Sequence, residues 1–156
     1  MRCRGWRRSS PEWQLHRAIY IARPDVHAIV HAHPPFSTAL ACLDRGIPAF
    51  HYMIAVAGGD DVRCAPYATF GTQALGSYAV LALADRKACL LSHHGLVAIE
   101  GDLDRALAVA VDVEALAEIY CRALAIGEPA SLSADQVREA EAQFRIRSKP
   151  ASIVSG

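Results

Sequence analysis

The sequence predicts an α/β fold, a single layered domain with a central β-sheet flanked by helices. Short apolar runs such as residues 27–33 and 87–92 stop after strand length, at proline or histidine. Between them lie segments whose apolar residues recur at helical spacing, and strands interleaved with helices pack in layers. The 156 residues are 53% hydrophobic, sufficient to bury one core.

Residues 1–10 form a basic, irregular lead in which Arg2, Arg4, Arg7 and Arg8 crowd around Trp6. A helix over 11–22 follows, with Ser10 as N-cap and Pro11 at the first helical position. Trp13, His16, Ile19 and Tyr20 fall at helical spacing and are expected to face inward. Arg23-Pro24 ends the helix, because the residue before proline avoids the helical region. A strand over 27–33 runs into Pro34-Pro35, and a short helix over 36–43 ends at Asp44-Arg45-Gly46. Residues 47–53 are mostly apolar and contain Pro48, which suits an edge strand. A turn at 57–61 precedes a short strand or extended segment over 62–68. Thr72 is positioned to cap a helix over 73–84.

Strands over 87–92 and 96–99 are separated by the break His93-His94-Gly95. Asp102 caps the longest helix, over 103–125. Its apolar stripe is Leu103, Ala106, Leu107, Ala110, Val113, Leu116, Ala117, Tyr120 and Leu124, and Gly127 and Pro129 stop it. Ser133-Ala134-Asp135-Gln136 is a capping box that opens a last helix to about residue 146. The domain is drawn over 11–148, with a loose tail over 149–156.

Composition excludes several function classes. Sixteen Lys and Arg balance sixteen Asp and Glu, so no global field recruits nucleic acid or an anionic membrane. The five cysteines are widely spaced, and Cys42, Cys89 and Cys121 lie in apolar segments. That usage fits a reducing, cytoplasmic setting. No apolar run approaches the ~18 residues of a membrane span, and no signal peptide is visible.

The chemistry concentrates in histidines. On a strand, alternate residues share a face, so His31 and His33 project together and offer two imidazoles to one metal ion. A second strand end carries His93 and His94. Neighbours on an extended chain point oppositely, so one of this pair, unassigned by spacing alone, completes a three-histidine site. Glu12, at a helix start, is favoured there by the helix dipole, or it faces the metal as ligand and proton carrier. Tyr52 is either a core tyrosine or a proton donor to substrate. His16, His27 and His51 are expected to be ordinary imidazoles.

These residues stand in a wider pattern. It includes Ser10 with Glu12-Trp13, Ala28-Ile29-Val30-His31-Ala32-His33, and residues 47–55 and 57–59. It continues through Cys64-Ala65-Pro66-Tyr67-Ala68-Thr69-Phe70-Gly71-Thr72 and Lys87-Ala88 to His93-His94-Gly95-Leu96. Over about residues 9–127 the chain resembles the class II aldolase/adducin family, its sugar-phosphate aldolases above all. The resemblance implies that His31, His33 and His94 hold zinc. Glu12 would ligate the resting metal and act as acid–base, Tyr52 would donate a proton, and Ser10 would bind the substrate phosphate.

The implied reaction is zinc-dependent cleavage of a ketose 1-phosphate, with L-fuculose 1-phosphate as the type. It yields dihydroxyacetone phosphate and an aldehyde through a metal-stabilised enediolate. A pentulose-phosphate 4-epimerase or thiopentulose-phosphate dehydratase on the same metal site, or a non-catalytic adducin-like scaffold, are the alternatives. The resemblance also implies a homotetramer with sites between subunits. Three departures stand out. The family's N-terminal phosphate loop has no counterpart, so the domain is expected to be N-terminally truncated. Pro11 replaces a serine usual in relatives, and no tyrosine follows Tyr120.

Overall fold

The computed structural model describes residues 11–147. The Ser10 cap and the basic lead fall outside that range, as does the tail. Four strands form one sheet in the order β1-β4-β3-β2: β1 is Ala28–Ala32, β2 Arg63–Ala65, β3 Ala88–Leu91 and β4 Gly95–Glu100. Strand β4 pairs antiparallel with both β1 and β3, and β2 pairs parallel with β3. The helices are α1 (Trp13–Ala22), α2 (Pro35–Ala41), α3 (Gln73–Ala82), α4 (Leu103–Leu124) and α5 (Ala134–Arg147).

Strand alternation divides the core between the two faces of the sheet. Cys89, Leu91, Val97 and Ile99 pack with Leu15 and Ile19 of α1 and Leu75 and Ala79 of α3. Ala88, Leu90, Leu96 and Ala98 point the other way, onto Leu40 of α2 and Val113, Leu116 and Tyr120 of α4. Each fully buried leucine or isoleucine removed from water stabilises the fold by about 1.5–3 kcal/mol. The result is the helix–sheet–helix layering expected from the sequence.

Local chemistry sets the helix boundaries. Thr72 accepts a hydrogen bond from the Leu75 amide, and Asp102 one from the Arg105 amide, so both expected caps form. Ser133 and Gln136 bond reciprocally as a capping box. Helix α2 has no cap of its own. Glu114 reaches from α4, and its carboxylate accepts from the Phe36 and Ser37 amides at 2.9 and 2.8 Å. A carboxylate there satisfies two orphan donors and complements the dipole.

The structure corrects several expectations. Residues 47–53 are not an edge strand. Ile47 makes a single bridge to Val62, and Tyr52–Ala57 winds into a 3-10 helix with His51 capping it from Nδ1. Helix α1 begins at Trp13, so Pro11 lies in the preceding turn. Its buried pair is Leu15 and Ile19, while Trp13 and Tyr20 are exposed and His16 is half-buried. In α4 the buried stripe passes through Val109, and Leu103 and Leu107 face solvent. Cys42 is exposed although its segment is apolar.

Candidate metal centre

The site lies on the α1/α3 side of the sheet, at its β1 end. Ile29 packs into the core on that side, and side-chain alternation places His31 and His33 with it. The α1 N-terminus delivers Glu12 to the same place. It approaches closely because Gly76 of α3 has no side chain: a Cβ there would meet Ala18 Cβ at 2.8 Å.

His94 arrives from the β3–β4 turn. His93 adopts a left-handed backbone, φ 52°, which turns the chain so that the His94 amide donates to Leu91 O at 3.0 Å. Gly95 follows because nothing larger fits. A Cβ at that position would lie 2.5 Å from Ala32 O and 2.7 Å from His33 Cδ2. The tripeptide His93-His94-Gly95 therefore reads as a turn residue, a candidate ligand, and a gap into which the end of β1 packs.

Glu12, His31, His33 and His94 offer four donor atoms that all lie within 4.8 Å of one another. The three ring centroids are 4.8–4.9 Å apart, a nearly equilateral triangle. Glu12 Oε2 is 2.9 Å from His31 Nε2, and Oε1 is 2.8 Å from His94 Nε2. His33 Nε2 is 3.2 Å from His31 Nε2. The sequence left His93 and His94 open; the structure brings His94 in and leaves His93 beside Tyr67, 6.1 Å between ring centroids.

The donor chemistry fits a cation. His31 Nδ1 lies 2.9 Å from Leu96 O, a pure acceptor, so the proton of the neutral ring sits on Nδ1. Nε2 then presents a lone pair to the Glu12 carboxylate and to the His33 nitrogen. Such a cluster of acceptors calls for a positive ion among them. A backbone carbonyl holding the far ring nitrogen is the usual way a protein orients a metal-binding imidazole. Burial pushes the His31 pKa down from 6.5, against raising contributions from the Leu96 carbonyl and Glu12, keeping the ring neutral and able to ligate. His16, one turn beyond Glu12, is likewise held down, first by burial and then by His31.

Tyr52 does not join this cluster. It opens the 3-10 helix on the α4/α5 side of the sheet, 54% exposed, with its ring against His51 and stacked on Phe144 at 6.1 Å. Ser10 lies outside the described residues. Two contributors, the Leu96 carbonyl and the Glu114 cap, had no sequence signal, whereas Gly95 was visible as part of the break after β3.

Comparison with known proteins agrees with this architecture. The model of the Class II Aldolase and Adducin N-terminal domain matches residues 2–121. A 5-methylthioribulose-1-phosphate/5-deoxyribulose-1-phosphate aldolase of Rhodospirillum rubrum is 51% identical over 152 residues, 97% of this chain and 69% of its own length. L-fuculose phosphate aldolase of Escherichia coli is 52% identical over 127 residues, covering 81% of this chain and 59% of its own. A solved L-fuculose 1-phosphate aldolase superposes with a TM-score of 0.84 at 44% identity, over 87% of this chain and 64% of that one. The chain thus spans about three fifths to two thirds of the length of these relatives. Half the positions are shared with one relative along nearly the whole chain, and the family model matches most of it; the chain belongs to the class II aldolase and adducin family.

Proposed function

We propose that this chain carries the metal site of a zinc-dependent aldolase that cleaves a ketose 1-phosphate to dihydroxyacetone phosphate and an aldehyde. The observation that carries the reading is the convergence of His31, His33, His94 and Glu12 on one point. Three imidazoles and one carboxylate suit zinc in both ligand type and number. The names of the relatives supply the substrate class, since each compound they name is a sugar phosphate and two of them are 1-phosphates. A bound zinc ion would supply Lewis acidity toward the ketose carbonyl.

The residues of the chain do the proton work. In cleavage, the Tyr52 oxygen takes the proton of the hydroxyl on the far side of the scissile bond, and the carbon bearing that hydroxyl becomes the aldehyde. The bonding pair stays with the dihydroxyacetone phosphate fragment; Glu12, having first taken a proton from solvent, delivers it to that carbon, and the proton collected at Tyr52 passes to solvent, so both side chains end as they began. Glu12 suits this role because each of its oxygens already lies beside an imidazole nitrogen in a half-buried setting. Ser10 is assigned to the substrate phosphate.

Tyr52 lies across the sheet from Glu12, so we assign it to the site of a second copy within a homotetramer. Its exposure supports that role, and so does the apolar row Leu103, Leu107, Val111 and Ile119 on the outer side of α4. The proposed compartment is the cytoplasm, supported by four cysteines, Cys42, Cys64, Cys89 and Cys121, that are free thiols. No helix among the described residues is long and apolar enough to cross a membrane.

The test is product formation. The purified zinc-loaded protein is incubated with L-fuculose 1-phosphate, 5-deoxyribulose 1-phosphate and 5-methylthioribulose 1-phosphate in turn, and dihydroxyacetone phosphate is assayed. Release from at least one, abolished by chelation and by His94→Ala, is expected. A protein that holds zinc yet releases no dihydroxyacetone phosphate from any of the three refutes the reaction.

A further inference from the structure

The β3–β4 turn that carries His94 is held from outside the metal centre. His93 at its tip and Asp44 just past α2 both have a left-handed backbone, φ 52°. That conformation is uncommon outside glycine, though aspartate and histidine enter it more readily than most residues, and local contacts decide whether it persists. Here the two segments impose it on each other. The Asp44 and His93 amides both donate to Ala41 O, at 3.1 and 3.0 Å. Ser92 is buried, and its hydroxyl donates to Asp44 Oδ1. Asp44 Oδ2 lies 3.9 Å from His93 Nε2. The Ser92 amide is itself fixed to Ala65 O at 3.0 Å, at the end of the parallel pairing with β2.

We propose that Asp44 is a positioning residue for the metal centre: through Ser92 it holds the left-handed turn at His93 and so aims His94 at Glu12. Were His93 to relax to an extended backbone, His94 would follow the strand's alternation and lose its direction. Asp44 touches none of the four donors in the cluster. Its action on the metal passes entirely through the backbone of the turn. The proposal rests on the reading that the cluster binds a cation.

Cobalt(II) serves as the probe, because its visible absorption reports both binding and geometry. Wild type, Asp44→Ala, Ser92→Ala and the double variant Asp44→Ala/His93→Gly are titrated with cobalt, and each metal-free protein is melted in parallel. Asp44→Ala and Ser92→Ala are each expected to weaken cobalt binding about tenfold or more, the scale of losses from outer-sphere partners. The double variant is expected to recover to within about threefold of wild type, because glycine adopts the left-handed turn without steric cost. A purely structural role for Asp44 would not be repaired by glycine at position 93.

Wild type that binds no cobalt sinks the metal reading itself. Wild type that binds, with Asp44→Ala binding equally well, overturns this assignment alone. Failure of the double variant to recover also overturns it. If Asp44→Ala does not fold, Ser92→Ala decides, since it removes the same bond while losing a single oxygen: weaker binding supports the proposal and unchanged binding overturns it.

Discussion

Replacing Gly95 with alanine tests the metal centre at its tightest point. The added methyl would sit 2.5 Å from Ala32 O and 2.7 Å from His33 Cδ2. Both contacts fall roughly 1 Å inside ordinary van der Waals separation. Neither neighbour is a flexible tip. Ala32 O belongs to the β1 backbone, whose Ala32 is in register with Leu96, and His33 Cδ2 belongs to the ring whose Nε2 lies 3.2 Å from His31 Nε2. The end of β1 must therefore move by about an ångström, while metal–ligand distances tolerate about 0.2 Å. Overpacking of this kind costs about 1–3 kcal/mol of stability. The loss of zinc affinity is expected to be about 100-fold or more, or roughly 2.7 kcal/mol. Urea unfolding of the metal-free protein and zinc competition against a chromophoric chelator measure the two separately. Zinc affinity within threefold of wild type would show that the β1 end is free to move, and the packing argument would fail.

Four further outcomes are expected. Glu114→Ala removes two charge-assisted hydrogen bonds from the α2 N-terminus and should destabilise the chain by about 2–4 kcal/mol in urea unfolding; Glu114→Gln, which keeps an acceptor, should cost less, and equal losses would argue against capping. Burial holds His31 and His16 below 6.5, so the unfolded chain binds more protons than the folded one just under that pH. Stability of the metal-free protein should therefore be intact above pH 6.5 and decline as the pH falls from there; a profile flat to pH 5 contradicts the shifts. Tyr52→Phe should lower kcat about 100-fold or more while zinc content and melting stay unchanged. Mixing inactive Tyr52→Phe with inactive His94→Ala should restore up to about a quarter of wild-type activity, because shared sites rebuild one intact pairing; no restoration on subunit exchange would place Tyr52 elsewhere.

Much of this was legible in the sequence because it depends on short-range rules. His31 and His33 share a face by strand alternation, and the caps at Thr72, Asp102 and Ser133 were visible as local motifs. The choice of His94 over His93 was not legible from spacing, because it turns on a single positive φ. The apolar stretch over 47–53 misled for a related reason. Pro48 has no amide proton to offer a ladder, and the chain instead wound Tyr52–Ala57 into a 3-10 helix to bury Ile54 and Ala57. In α1 the spacing of Trp13 and Tyr20 looked inward, yet Leu15 and Ile19 took the core, since a crossing tight enough for Gly76 leaves little room for large rings. Glu114 lies about eighty positions from the amides it caps, a pairing that only the tertiary packing of α4 on α2 creates.

Helix α2 spans seven residues, a rod of about 10 Å that starts where β1 releases His33 and finishes where the His94 turn is gripped. It acts as a ruler for the distance between two ligand-bearing segments, though it contributes no ligand. Lengthening the ruler by one residue would swing everything beyond it by about 100° as well as displacing it. Insertions should therefore be poorly tolerated between positions 34 and 44. In this chain the separation between His33 and the His94 turn is set as much by that silent rod as by the histidines it separates.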